Sequence, residues 1–329
     1  MKLPKFEDLT KEQKDSVEIE TNFVVSGGAG TGKTMVAIWR HIQNLQRKQS
    51  SYLITFTHTL TYFLEILVSQ EVTSNETINN ANNFIKNISE IPNLEELIID
   101  EAQDLSLEQH NILKAKFPNI SFGVDNKQTL YHHSTNQKIL EDLYQPKYSQ
   151  KLQLNFRNSY LILELAKIIF PKYEITQKMI DYSKTHFEVG DVPQLVIHQR
   201  KNFINLFCSV IKSISKKDNV AILVPTLELM EYYRGILDMC LGYENYTSYN
   251  YKDFGNIRQI GISRIHLTTF HSSKGLEFDA VILPEFQLFS ESNQYYVGIT
   301  RAKTELYLFS ENINPLKGVN SKFLQVQNV

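Results

Sequence analysis

The stretch Gly27-Gly28-Ala29-Gly30-Thr31-Gly32-Lys33-Thr34 decides the fold, because it matches the pattern GxxxxGK[ST] of a phosphate-binding loop. It follows the apolar run Phe23–Ser26 and precedes a helical pattern over Thr34–Arg47, which is the strand–loop–helix context that this pattern requires. We expect the loop's backbone N–H groups to converge on phosphate oxygens, with Lys33 on the β- and γ-phosphates and Thr34 on Mg²⁺. The loop alone also fits kinases and GTPases, and a ligand-free glycine turn is the ordinary alternative.

An acidic pair narrows the class of nucleotide enzyme. The run Leu97-Ile98-Ile99 leads into Asp100 and Glu101, so both carboxylates come at the end of an expected strand, where ligands bind in open α/β sheets. Asp100 there can hold Mg²⁺, and Glu101 can orient and deprotonate an attacking water. A kinase does not need a base for water, so the pair favours hydrolysis. The alternative is an acidic residue pair that merely favours a helix amino terminus.

Short apolar runs alternate with helical patterns along the chain, which predicts an α/β fold with mostly parallel sheets. The helical patterns include Thr34–Arg47, Ser159–Ile169 and Leu227–Leu241, and Val72–Asn87 is expected to be a loop or a frayed helix. A polar stretch, Gln145–Gln150, marks the expected domain boundary. The expected strands are Asn22–Ser26, Tyr52–Phe56, Glu96–Ile99, Ile120–Val124, Val220–Val224, Ile265–Thr269, Ala280–Leu283 and Leu306–Phe309.

Charge and composition limit the remaining classes of function and location. The 329 residues carry a formal net charge of −2, so a nucleic-acid contact must be a local groove and not a general basic surface. The two cysteines, Cys208 and Cys240, are far apart and form no CxxC pair, which argues against a zinc site and a disulfide framework and fits a reducing cytosol. The chain shows neither a signal peptide nor an apolar run long enough for a membrane span, so we expect a cytoplasmic protein.

Seven segments in order resemble the motifs of superfamily 1 helicases of the UvrD/Rep type across nearly the whole chain. This resemblance implies two tandem RecA-like domains, a P-loop ATP-binding domain over residues 1–148 and a second domain over residues 149–329, with ATP and Mg²⁺ bound where they meet. In addition to the phosphate-binding loop, these seven segments are Leu9-Thr10-Lys11-Glu12-Gln13, Ile54-Thr55-Phe56-Thr57-His58, Ile99–Asp104, Gly123–Tyr131, Leu154–Asn158, Thr269–Asp279 and Tyr296–Lys303.

The resemblance assigns roles around the nucleotide. Gln13 corresponds to a residue that reads adenine, and Phe156 stands where the family usually has a tyrosine that stacks on the base. Gln128 corresponds to a sensor of the γ-phosphate, and Glu277 to a residue near the ribose and the metal-bound water. Arg157 and Arg301 correspond to arginines that reach the γ-phosphate from the second domain and stabilise transition-state charge. The loop residues that contact the nucleotide are Gly28, Ala29, Gly30, Thr31, Gly32, Lys33 and Thr34.

The resemblance also implies a path for a single strand across both domains, away from ATP. Stacking aromatic residues in a local basic groove are the usual means of binding a strand without sequence preference. Plain core packing is the alternative for the aromatic residues, and a solvated loop for the histidines. The residues that match strand contacts are Phe56, Thr57, His58, Tyr131, His133 and His271.

The chain departs from the family where the large accessory insertions normally stand. Leu60–Leu97 is too short for a separate domain, and only Gly242–Arg264 remains at the second position. We therefore expect a minimal motor core: an ATP-dependent translocase or helicase for single strands, of DNA more than of RNA. The alternative is a regulatory ATPase switch in a repair or antiviral defence complex, triggered by nucleic acid or a partner. Either way, a protein partner is expected to supply the missing accessory function.

Overall fold

The chain divides into two compact units in the computed structural model, Met1–Leu154 and Asn155–Val329. The structure describes residues 3–72, 77–131, 133–214, 219–250, 263–288, 293–312 and 316–329. Most of the short Gly242–Arg264 segment, residues 251–262, therefore lies outside the described residues. Throughout the described ranges, each helix is too short or too polar to cross a membrane.

The first unit is built on a six-stranded parallel sheet in the order β3-β2-β4-β5-β1-β6. β5 lies between β1, which leads into the glycine-rich loop, and β4, which leads into the acidic pair. The strands are β1 (Phe23–Ser26), β2 (Ser51–Thr55), β3 (Ile78–Asn80), β4 (Glu96–Ile99), β5 (Ile120–Val124) and β6 (Tyr148–Lys151). The helices are α1 (Lys11–Glu18), α2 (Lys33–Gln46), α3 (His58–Val68), α4 (Ala81–Lys86), α5 (Leu107–Lys116) and α6 (Gln137–Tyr144).

Helices cover both faces of this sheet because successive strand residues point to opposite sides. Val25 packs with Val36 of α2 and Leu64 of α3 on one face. Val24, one residue earlier, packs with Leu113 of α5 on the other face. Burial on both faces explains why the strand sequences are continuously apolar and do not alternate.

The second unit contains a seven-stranded parallel sheet in the order β13-β7-β12-β11-β8-β10-β9. A large core cluster joins α9 and α10 to one face of it, and α7 and α11 contact β12. The strands are β7 (Gln194–Ile197), β8 (Val220–Val224), β9 (Thr247–Tyr249), β10 (Ile265–Thr269), β11 (Phe278–Leu283), β12 (Ala302–Ser310) and β13 (Gln325–Asn328). The helices are α7 (Tyr160–Ile169), α8 (Gln177–His186), α9 (Phe203–Ile214), α10 (Leu227–Leu241) and α11 (Asn293–Ile299). These two sheets confirm the predicted α/β class.

Two local expectations differ from the structure. The loop or frayed helix expected over Val72–Asn87 contains β3 and the short helix α4, which Asn80 caps by accepting hydrogen bonds from the backbone N–H groups of Asn82 and Asn83. The division after Leu154, rather than after residue 148, follows from β6, which pairs with β1 and so belongs to the first sheet.

The two cysteines form a disulfide, contrary to the prediction from the sequence. Contact between α9 and α10 brings Cys208 and Cys240 together, with Cα atoms 5.4 Å apart, and the two form a disulfide. Their separation of 32 positions does not indicate this proximity.

Candidate nucleotide and nucleic-acid sites

The glycine-rich loop wraps around the ammonium group of Lys33. Lys33 Nζ donates to the carbonyl oxygens of Gly27 at 2.8 Å and Gly28 at 3.0 Å, and it lies 3.6 Å from Asp125 Oδ2. Gly32 has a φ of 90°, which favours glycine, and a Cβ on Gly27 would lie 2.6 Å from Thr31 Oγ1. The loop therefore holds a buried cation at the amino terminus of α2, where the helix also favours an anion.

Asp100 is a buried carboxylate that fits a divalent cation. Its Oδ2 accepts from Thr34 Oγ1 at 2.9 Å, while its buried Oδ1 has no hydrogen-bond partner within the described ranges. Burial, together with the charge of Glu101, raises the pKa of Asp100 to about 7, against the hydrogen bond from Thr34 and the charge of Lys33. An orphaned oxygen beside a hydroxyl matches the hard oxygen ligands that Mg²⁺ prefers, so Thr34 and Asp100 suit the role expected of them.

Glu101 adopts a strained backbone conformation. Its φ of 56° and ψ of 43° lie in the left-handed region, which costs a non-glycine residue about 1–3 kcal/mol. Gln103 holds its side chain: Gln103 Nε2 donates to Glu101 Oε2 at 2.5 Å, and Gln103 Oε1 accepts from the backbone of Asp125 at 3.0 Å. The fully buried Gln103 thus ties Glu101 to the end of β5. The sequence reasoning assigned Gln103 no role.

Asp125 is a second residue that sequence reasoning left without a role. It follows β5 directly, and its Oδ2 accepts from Gln128 Nε2 at 2.6 Å while lying near Lys33. The signal that could have found it is the one that found Asp100, a carboxylate immediately after a buried strand. Gln128 is itself buried, so the structure brings together Lys33, Asp125 and Gln128.

Gln13 is placed against the loop by the first helix. Its Oε1 accepts from Thr10 N at 2.9 Å in a capping box, and its Nε2 donates to the carbonyl of Thr31 at 3.2 Å. The amide keeps a second N–H and a second lone pair, and its pairing with adenine stays a prediction.

The second unit assembles its own charged cluster. Arg157 Nε lies 3.3 Å from Glu277 Oε2, and Arg157 Nη1 donates to the carbonyl of Thr300 at 3.4 Å. Arg301, which is buried, donates from Nη1 to the carbonyl of Leu276 at 3.0 Å. Residues 277 and 301 directly precede β11 and β12, so this cluster lies at the amino ends of these strands.

Phe156 neighbours that cluster in sequence and is half-buried. Its ring meets the ring of Tyr182 edge to face, with centroids 5.3 Å apart. The structure therefore supports Phe156 with a second aromatic ring, and its stacking on adenine stays a prediction.

Three of the residues expected to contact single-stranded nucleic acid form an aromatic cluster in the first unit. The ring centroids of Phe56 and Tyr131 are 4.6 Å apart, and Tyr131 stacks with His133 at 5.5 Å. His133 Nε2 lies 3.0 Å from the carbonyl of Asp104, and burial together with the charges of Asp104 and Glu101 raises the pKa of Tyr131. The cluster is thus linked to the acidic segment that carries Glu101.

The other expected strand contacts have local structural roles or lie in the second unit. Thr57 caps α3 by accepting from the backbone of Leu60 at 3.2 Å, and His58 is the first residue of that helix. His271 follows β10 in a turn that Lys274 closes by donating its N–H to the carbonyl of His271 at 3.3 Å. The structure does not assign a nucleic-acid contact to any of these three side chains.

Comparisons with known proteins match each unit to a helicase family. Residues 20–157 match the family described as Schlafen group 3, DNA/RNA helicase domain, and residues 264–309 match the UvrD-like helicase C-terminal domain. A relative from Acanthamoeba polyphaga mimivirus, "Putative ATP-dependent DNA helicase R568", is 27% identical over 254 residues. That match covers 68% of this chain and 35% of the relative, so the chain spans about a third of the relative's length.

Solved structures show the same fold. The structure of S. cerevisiae Dbp5 bound to RNA and ADP BeF3 matches with a TM-score of 0.66 at 11% identity, covering 98% of this chain and 90% of that chain. The structure of a variant of Dbp5 in the same bound state matches with a TM-score of 0.61 at 10% identity, covering 98% and 94%. The two parallel sheets are therefore tandem RecA-like units, as predicted. Helicase family models match in both units, which supports a helicase similar to the UvrD-like family.

Proposed function

We propose that this protein is an ATP-dependent translocase or helicase for single-stranded nucleic acid, which hydrolyses ATP with residues from both units. The observation that carries the proposal is the arrangement around Lys33: a loop with its cation, an orphaned Asp100 oxygen beside Thr34, and Glu101 held by Gln103. A merely structural loop would not explain a carboxylate oxygen buried without a partner.

The first unit supplies the groups for binding and for deprotonating water. In this proposal Lys33 leaves the loop carbonyls to bind the β- and γ-phosphates, which present stronger acceptors in the same place. Thr34 and Asp100 hold Mg²⁺, which would neutralise charge developing on the phosphates. Glu101 accepts the proton of the attacking water, and its strained backbone with the bond from Gln103 fixes the direction of its carboxylate.

The second unit supplies the cations. Arg157 and Arg301 come from segments that precede α7 and β12, and both are held by acceptors of their own unit. In the proposal they stabilise charge on the transferred phosphoryl group, which requires the two units to close on ATP. Hydrolysis would then be coupled to motion between the units.

The preference for DNA, the subfamily and the protein partner are argued from the comparisons and from the short segment between α3 and β4. The name of the viral relative supports DNA over RNA, and the match to the Schlafen group 3 helicase domain suggests a related subfamily. Between α3 and β4 the described residues contain only β3 and α4, which supports a minimal core that works with a protein partner.

The test is the rate of Mg²⁺-dependent ATP hydrolysis by the full chain without strand, with single-stranded DNA, and with single-stranded RNA. We expect low basal turnover and stimulation by DNA above that by RNA. Lys33→Ala should lose nucleotide binding, whereas Lys138→Ala, which removes an exposed cation on α6, should behave like wild type. Turnover that no strand stimulates, but that a protein partner does, would favour the regulatory switch.

A further inference from the structure

A cavity of about 770 Å³ opens in the second unit at the edge of the sheet opposite to Arg301 and Glu277. Its lining includes His198 directly after β7, Glu285 shortly after β11 and Glu311 directly after β12. Carboxyl ends of parallel strands are where open α/β sheets bind ligands, whereas Arg301 and Glu277 precede the amino ends of the same strands. The cavity is therefore separate from the residues proposed to act on ATP.

His198 gives this cavity an unexplained polar group. The side chain is only 7% exposed, and neither ring nitrogen has a hydrogen-bond partner within the described ranges. Its ring packs on Phe203 with centroids 4.6 Å apart. Burial lowers the pKa of His198, against a contact with the backbone of Gln199 and the nearby charges of Glu311 and Glu285, so the ring is neutral and its unprotonated nitrogen can accept a hydrogen bond.

Gln287 presents a second orphaned acceptor in the same lining. Its Nε2 donates to Glu285 Oε2 at 2.5 Å, which fixes the amide and leaves Oε1 buried without a partner within the described ranges. Tyr233 Oη donates to Glu285 Oε1 at 2.5 Å, so this carboxylate is held in place from two sides. Buried polar atoms without partners lower stability unless another molecule satisfies them, so Gln287 Oε1 and the unprotonated nitrogen of His198 point to a ligand that donates hydrogen bonds.

The charges of the lining define that ligand further. Among the described lining residues, three carboxylates, Glu228, Glu285 and Glu311, face a single cation, Arg200. The Arg200 side chain is mostly exposed, and its Nε lies 2.8 Å from Glu311 Oε1. An excess of negative charge repels phosphates, so a nucleic-acid backbone does not fit here. Metal ions do not fit either, because no group of three or more ligating side chains occurs among the described residues.

We propose that this cavity binds an organic cation that donates N–H hydrogen bonds, an ammonium or a guanidinium group. His198, Gln287 and Glu285 supply the acceptors, and the rings of Phe203 and Tyr232 supply walls against which a cation is favourable. A free polyamine and an arginine side chain share this chemistry, and two probes separate these sources. The inference does not depend on ATP hydrolysis, because its residues and its test lie outside the proposed nucleotide site.

The test is isothermal titration of the full chain, without nucleotide, with spermidine and separately with N-acetyl-arginine amide. Wild type should bind at least one probe saturably at physiological salt; spermidine alone identifies a polyamine site, and the arginine derivative a side-chain site. Glu285→Gln should weaken binding about tenfold or more, since it removes a charge-assisted acceptor. Glu188→Gln, the same change at an exposed position outside the lining, should leave affinity unchanged.

His198→Phe separates a binding role from a structural one. It keeps the ring that packs on Phe203 and removes both unpartnered nitrogens, so the protein should melt at the same or a higher temperature while binding the probe at least several-fold more weakly. The proposal is overturned if neither probe saturates, or if both variants bind like wild type. It is also overturned if His198→Phe unfolds the second unit, or if the variants weaken oligonucleotide binding in place of cation binding.

Discussion

Replacing Asp100 with Asn should stabilise the metal-free protein, and by more as the pH rises. Asp100 is completely buried, and its pKa rises from a model-peptide value of 3.8 to about 7. The native state therefore binds a proton more tightly than the unfolded state, so this group's contribution to stability is present at low pH and is lost as pH rises towards 7. One pKa unit corresponds to about 1.4 kcal/mol, so the ionised carboxylate costs about 4 kcal/mol above pH 7.

The assay is denaturant unfolding of wild type and Asp100→Asn at pH 5 and pH 8 without Mg²⁺. Asn resembles the protonated carboxyl group and does not ionise, so the advantage of the variant should grow by about 3 kcal/mol between the two pH values. Mg²⁺ binds the ionised form, so millimolar Mg²⁺ at pH 8 should stabilise wild type and not the variant. Asp15→Asn, an exposed change on α1, should show neither effect.

Two outcomes would refute this reasoning. A stability difference between wild type and Asp100→Asn that is the same at pH 5 and pH 8 would mean that Asp100 ionises normally. A wild type that becomes more stable relative to the variant at pH 8 without metal would mean that the carboxylate has a cationic partner inside the protein. Either result would remove the argument that Asp100 is arranged for Mg²⁺.

Three further predictions concern the base, the aromatic cluster and the disulfide. Glu101→Gln should bind ATP like wild type and hydrolyse it about 10²–10⁴-fold more slowly, because the water loses its base; wild-type turnover in a single-turnover assay would contradict this. Tyr131→Ala should weaken strand binding by about 1–3 kcal/mol while Tyr131→Phe retains it, measured by fluorescence anisotropy; an equal fall in basal ATPase would indicate core packing instead. Reduction of Cys208–Cys240 should lower the free energy of unfolding by about 3–4 kcal/mol for a loop of 32 residues, and Cys208→Ser should unfold at the same denaturant concentration with or without reductant.

The parallel sheets were predictable because they are buried on both faces. Burial makes their strands continuously apolar, and four strands, Glu96–Ile99, Ile120–Val124, Val220–Val224 and Ile265–Thr269, have the predicted bounds. β3, β6, β9 and β13 escaped prediction because they are short edge strands. β6 has the sequence Tyr-Ser-Gln-Lys with exposed alternate residues, which is indistinguishable from a polar linker until β1 is seen beside it.

The sequence suggests residues for the candidate nucleotide site where chemistry demands fixed residues at fixed spacing. The loop with Lys33 and Thr34, and the pair Asp100 and Glu101, follow from such patterns. Gln103 and Asp125 act through hydrogen bonds to other site residues, and their partners become visible only when β4 and β5 are placed side by side. His198 could not be recognised from the sequence, because its proposed role depends on the surroundings of its ring nitrogens, which only the structure shows.

The central claim is that the second unit supplies cations to the ATP bound by the first, and Arg157 tests it most directly. ATP affinity and strand-stimulated turnover should be measured for wild type, Arg157→Ala and Lys303→Ala, since both variants remove a cation that pairs with Glu277. The account predicts that Arg157→Ala binds ATP but turns over about 10³-fold more slowly, as for the loss of an arginine finger, and that Lys303→Ala stays within a few-fold of wild type. Turnover by Arg157→Ala equal to that of wild type would contradict the shared site.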